Sequence, residues 1–124
     1  MRGTRSAPSF RESVFPGSIP AAGVPEYGDP NDPGDFAALM AYSPVHHVTK
    51  GTRYPAMLIT ASEADVRAHP MHARKFAAAM QAETTGGPVL LRVAWNAGHI
   101  GADSRAAYAT TIAEEYAFAL SFTR

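Results

Sequence analysis

Residues 89–102 read VLLRVAWNAGHIGA, and the two halves of this stretch demand different structures. Val89 to Trp95 is apolar except for Arg92, too short for an ordinary helix and too continuous for a strand with one wet face. That is the pattern of a strand covered on both sides, as in a parallel sheet. Ala97-Gly98-His99-Ile100-Gly101-Ala102 follows, with a histidine between glycines. Gly98 and Gly101 permit a tight turn that lifts the imidazole away from the strand end. A packing histidine needs no such setting, whereas one presented to a partner does.

Upstream, Tyr54-Pro55-Ala56-Met57-Leu58-Ile59-Thr60 is a second short apolar run, its start marked by Pro55. Between the runs, Pro70 to Glu83 carries Met71, Phe76, Ala79 and Met80 near helical spacing, and Gly86-Gly87-Pro88 closes it. Beyond the histidine, Asp103 or Ser104 is placed to cap a helix reaching about Phe122. Tyr108, Ile112, Tyr116 and Leu120 are expected to form its core-facing stripe, with Glu114 and Glu115 in solvent. Near the start, Asp32-Pro33-Gly34-Asp35 opens a short helix over about Gly34 to Tyr42 that Pro44 stops. The order strand, helix, strand, helix makes the chain α/β, built on one parallel βαβ unit with a right-handed crossover. Residues 1–22, rich in proline and glycine, read as an irregular, poorly ordered lead-in.

Composition narrows the partners. With 124 residues, 46% of them hydrophobic and 18% charged, the chain has the make-up of one globular domain. Eleven basic and eleven acidic side chains cancel, which removes the positive footprint of a nucleic-acid binder. The lack of cysteine excludes a disulfide framework, a thiolate nucleophile and a thiolate zinc site in this chain. Pro8, Arg11, Glu12 and Pro16 break up any apolar core of a signal peptide, and no run has the length of a membrane span. No membrane partner is therefore expected, and the cytoplasm is the favoured compartment.

In open parallel sheets, chemistry collects beyond the carboxyl ends of the strands. Two loops lie there, Ser62 to His69 and Asn96 to Gly101, and each offers one group of a familiar pair: Asp65 and His99. A carboxylate that holds one imidazole nitrogen leaves the other free to take a proton from a nucleophilic serine. In α/β-hydrolases the three groups run Ser, Asp, His along the chain, and Asp65 and His99 fit the last two places.

Five segments carry a resemblance that goes further: Val24-Pro25-Glu26-Tyr27-Gly28-Asp29-Pro30, Ala41-Tyr42-Ser43-Pro44-Val45-His46-His47-Val48, Ala61-Ser62-Glu63-Ala64-Asp65-Val66-Arg67, His72-Ala73-Arg74-Lys75-Phe76 and Ala97-Gly98-His99. In order and spacing, from about Gly23 onward, they resemble the C-terminal part of the catalytic domain of prolyl oligopeptidase-type serine peptidases. The resemblance implies a partial α/β-hydrolase fold, an incomplete three-layer αβα arrangement, that cuts short proline-containing peptides after proline without metal or cofactor. It implies Asp65 as triad acid and His99 as triad base. It also implies that Arg67 holds a carbonyl of the bound peptide, a task suited to a guanidinium fork that never loses its charge. Two departures stand out: Ala61 replaces a usual glycine, and Ile100 interrupts the small residues that follow the histidine.

The nucleophile is the missing part, since no serine lies in G-x-S-x-G. Ser62 does follow a strand, but β-branched Thr60 stands where the strained turn needs glycine, and Asp65 is too near to act as its distant partner. His69-x-x-His72 and His46-His47 read as loop and helix-start residues rather than metal ligands, and Asp29 to Asp35 lacks calcium-loop spacing. The expectation is a fragment of a longer enzyme, comprising residues 23–124, inactive alone, marginally stable, and self-associating through an open sheet edge. Two other readings remain: a non-catalytic α/β interaction module, or part of another α/β-hydrolase such as an esterase or acylaminoacyl-type peptidase. The latter shares Asp65 and His99 but gives Arg67 no task.

Overall fold

A computed structural model describes residues 24–122, and the chain divides at His47/Val48 into two units. The expected lead-in over residues 1–22 lies outside the described residues.

In the first unit, a single helical turn, α1 (Val24–Tyr27), is followed by α2 (Pro33–Tyr42). Asp32 caps α2, its carboxylate accepting from the amides of Gly34 at 2.8 Å and Asp35 at 3.0 Å. Pro33 sits in the first turn, where its missing N–H costs nothing. Pro44 ends the helix and opens a 3-10 turn over Pro44–His46. Leu39 is the buried residue of α2.

The second unit holds β1 (Met57–Ser62), α3 (Met71–Glu83), β2 (Val89–Ala94) and α4 (Arg105–Phe122). The strands pair in parallel, in register from Met57 opposite Val89 to Ser62 opposite Ala94. Parallel neighbours need a crossover, and α3 supplies it, packing on both strands with Ala77 and Met80 each 1% exposed. Gln81 Nε2 donates to the Val89 carbonyl at 2.9 Å, fastening the end of α3 to the start of β2. Ser104 holds the start of α4, its Oγ accepting from the Ala107 amide at 3.2 Å.

Two expectations need correction. β1 begins at Met57, three residues after Tyr54, because Tyr54 to Ala56 is taken up by a close backbone crossing. The Tyr54 carbonyl accepts from the Gly87 amide at 2.9 Å, and ladder pairing starts only where Met57 N–H reaches the Pro88 carbonyl at 2.9 Å. A Cβ on Gly86 would lie 1.9 Å from Tyr54 O and one on Gly87 2.5 Å from Ala56 N, so the paired glycines exist for this approach. Pro55 contributes no N–H here and precedes the strand rather than opening it.

The stripe on α4 does not face the core. Tyr108, Tyr116 and Leu120 are 53%, 68% and 67% exposed. The rotation of α4 is fixed instead by Arg92 of β2, whose guanidinium binds the Glu114 carboxylate and donates to Thr111 Oγ1 at 2.9 Å. That turns the Thr111, Glu114 and Phe118 row toward the sheet. Phe118 stacks obliquely on Phe122, centroids 4.9 Å apart. The two rings, with Leu58, Leu90 and Leu91, border an open trough of about 670 Å³. Among the described residues, no helix is long and apolar enough to cross a membrane.

Met80 is the largest side chain buried beneath the sheet. Met80→Ala is expected to lower unfolding free energy by about 2–4 kcal/mol through lost contact and a residual cavity. Urea titration of the full chain followed by circular dichroism reads the change, and a loss below about 1 kcal/mol would show that α3 does not anchor the sheet.

Candidate active site

The site begins where the ladder runs out. Past Ser62 and Ala94 the two chains stay joined, with Glu63 N–H donating to the Ala94 carbonyl at 3.0 Å and Ala64 N–H to the Ala97 carbonyl at 3.1 Å. The bonds carry the alignment of the strands into the loops and bring Asp65 beside His99. Ala97, 3% exposed, is the apolar plug beneath the junction.

Asp65 is 9% exposed and fully partnered. Its Oδ1 accepts from the amides of Arg67 and Ala68, both at 2.8 Å. Its Oδ2 lies 2.9 Å from His99 Nδ1. Burial works to raise the carboxyl pKa, but it is outweighed by the Ala68 amide, the His99 bond and the Arg67 amide, and the net direction is below the ordinary value. An ionised carboxylate only accepts, so Nδ1 of His99 must be the donor. In neutral His99 the proton then sits on Nδ1, and Nε2 keeps its lone pair. The imidazole is 48% exposed, open on the side away from Asp65.

The turn that carries His99 differs in detail from its sequence reading. Gly101 N–H donates to the Gly98 carbonyl at 2.9 Å, making His99 and Ile100 the central pair of a tight turn. Gly101 has φ +79, but Gly98 has no positive φ, and the second left-handed residue is Asn96 at φ 58. Asparagine tolerates that region better than most residues, so Asn96 is the sequence signal for this turn alongside Gly101.

Thr60, Ser62, Asp65, Arg92, His99, Ile100, Thr111 and Glu115 border a cleft of about 170 Å³. The cleft is smaller than the roughly 300–1,000 Å³ of an ordinary ligand pocket, and these residues form its wall. Glu115, expected in solvent, is partly covered and lines this wall. Arg67 joins the pair through its backbone only; its side chain is exposed, and among the described residues the guanidinium has no partner. Ser62 is buried at the strand end, 7% exposed. His69 Nδ1 accepts from the Met71 amide at 3.2 Å at the start of α3, and among the described residues no group of three His, Cys, Asp or Glu gathers to hold a metal. His46 Nδ1 meets Ser43 Oγ at 2.7 Å, and His47 Nε2 donates to the Met40 carbonyl at 3.0 Å.

Compared with known proteins, residues 15–123 match the family model described as the prolyl oligopeptidase family. A prolyl oligopeptidase of Omphalotus olearius is 39% identical over 97 residues, 75% of this chain and 13% of that protein. A prolyl endopeptidase of Elizabethkingia miricola is 43% identical over 76 residues, 60% of this chain and 11% of the relative. Among solved structures, a prolyl endopeptidase superposes with TM-score 0.76 at 46% identity, covering 81% of this chain and 15% of its own. Prolyl oligopeptidase B from Galerina marginata, bound to a 25mer macrocyclization substrate, gives 0.71 at 30% identity, covering 89% and 15%. The chain thus spans about one-seventh of the length of these proteins.

The hydrogen-bonded carboxylate makes two outcomes measurable. Because the Asp65 pKa is depressed on folding, its contribution to stability is present above the ordinary carboxylate range, about pH 4, and is lost as pH falls through the folded value. Asp65→Asn is therefore expected to be less stable than the parent at pH 7, with the difference closing in acid. The same substitution places an amide donor opposite Nδ1 and drives neutral His99 toward the Nε2–H form. Long-range ¹⁵N–¹H correlation spectra report the tautomer, and an unchanged Nδ1–H form in the variant would contradict this account.

Proposed function

This chain belongs to the prolyl oligopeptidase family, and on that premise we propose that residues 23–124 supply the acid and base of a serine peptidase acting on short peptides after proline. The reading rests on one observation above all, the 2.9 Å bond between Asp65 Oδ2 and His99 Nδ1. Nε2 of His99 takes the proton of a serine hydroxyl as the serine attacks the peptide carbonyl, then gives it to the departing amine. Asp65 holds the tautomer and stabilises the imidazolium formed in between. Arg67, exposed and without a side-chain partner among the described residues, orients a peptide carbonyl with its guanidinium fork.

The serine belongs to polypeptide outside this sequence. No serine here has the glycine-flanked setting of a nucleophile. The isolated 124-residue chain is accordingly inactive, and its strand edges carry self-association.

A chimera tests this directly: the Omphalotus olearius prolyl oligopeptidase with its 97-residue matching segment replaced by the corresponding residues of this chain. Cleavage of a prolyl chromogenic peptide is expected to persist. His99→Ala should then lower kcat by about 10⁶-fold and Asp65→Asn by about 10⁴-fold. Arg67→Ala should act mainly on kcat/KM, by roughly tenfold or more. Full activity in the His99→Ala chimera would sink the proposal, and cleavage by the isolated chain that His99→Ala abolishes would refute the external serine.

A further inference from the structure

Ile100 has no task in the chemistry above, yet it is the residue next to the base. Its side chain is 81% exposed, and it lines the same cleft as Asp65 and His99. A lone exposed apolar side chain is ordinary; the position of this one is not. Ile100 shares the two central places of the turn with His99, and Gly101 N–H closes that turn on the Gly98 carbonyl at 2.9 Å, so one fixed stretch of backbone carries both side chains. Among the described residues the rest of the wall is polar or small, and Ile100 is its one large apolar member. On the opposite loop Val66, directly after Asp65, is 74% exposed.

Proton delivery defines what meets this surface. When His99 protonates the departing amine, that nitrogen lies about 3 Å from Nε2. The α-carbon of the leaving residue is one bond further, so its side chain is laid along the surface beside the imidazole. We propose that Ile100 is a specificity-determining residue that contacts the side chain of the first residue after the cut bond, favouring leucine there over glycine. Asp65 and Glu115 on the same wall oppose an acidic residue at that place. The inference rests on the peptidase reading, in which His99 is the general acid for the leaving group.

Two measurements test it. In the full 124-residue chain labelled at isoleucine δ1 methyls, the Ile100 resonance, assigned by its loss in Ile100→Val, should respond to leucyl-glycine amide at several-fold lower concentration than to glycyl-glycine amide. In the chimera, the kcat/KM ratio for peptides with leucine against glycine after proline should fall roughly fivefold in Ile100→Gly, as expected for losing one partly buried apolar contact. Ile100→Val should keep most of the ratio. Any loss from a loosened turn is common to both peptides and cancels in the ratio. A ratio unchanged within twofold or raised, or a methyl that answers both amides equally or neither, would overturn the proposal. A chimera that cleaves nothing removes the triad reading instead, and the methyl titration alone then decides the contact.

Discussion

Everything at the candidate site depends on two parallel strands ending together. Register pairs Ser62 with Ala94, and the chains continue side by side through the Glu63–Ala94 and Ala64–Ala97 backbone bonds. Asp65 and His99 are 34 residues apart in sequence and 2.9 Å apart in space because of those few bonds. A slip of one residue would turn every strand side chain to the other face and carry the loops out of step. The Gly86–Gly87 crossing under Tyr54 and Ala56 fixes where β1 can begin, and so belongs to the site although it lies at the other end of the sheet.

Burying a carboxylate is costly, and Asp65 shows how the cost is met. Two amides from its own loop bind one oxygen and the imidazole binds the other, so little of the acceptor capacity is left unsatisfied. The amides also orient the group. With Oδ1 held by Arg67 and Ala68, Oδ2 is aimed at His99 regardless of the state of the imidazole. Exposure divides the same way: Asp65 is enclosed, with its carboxyl held below the ordinary pKa, while His99 is half open.

Much of this was legible in the sequence. Asp32 with Pro33, the runs around Leu58 and Leu91, and the helix through Met80 follow local rules, and they fold as those rules expect. The pairing of Asp65 with His99 was legible from chain order and strand ends. What escaped depends on contacts that no local pattern encodes. Tyr54 to Ala56 has the composition of a strand but is claimed by the glycine pair. Tyr108, Tyr116 and Leu120 have the spacing of a core stripe, yet Arg92 reaches Glu114 and Thr111 and turns α4 by another face. A single charge on a strand outranked three of the four apolar residues of the helix stripe, because Tyr108, Tyr116 and Leu120 have no described surface to cover them, while Ile112 is partly covered.

The acid–base pair and the open trough also differ in what sustains them. The pair is held by short-range amide bonds within and between two loops, and by Ala97 and Asp65 buried there. The trough beside Leu90 and Phe122, each 48% exposed, takes no part in that network. Arg92 lines both the trough and the cleft, and Thr111 and Glu115 of α4 line the cleft, so loss of order along α4 would loosen that side of the cleft while the strand pairing still holds Asp65 beside His99. On the proposed reading, inactivity of the isolated chain traces to a serine outside it and not to a distorted Asp65–His99 pair, a distinction that the His99 tautomer makes visible without any substrate.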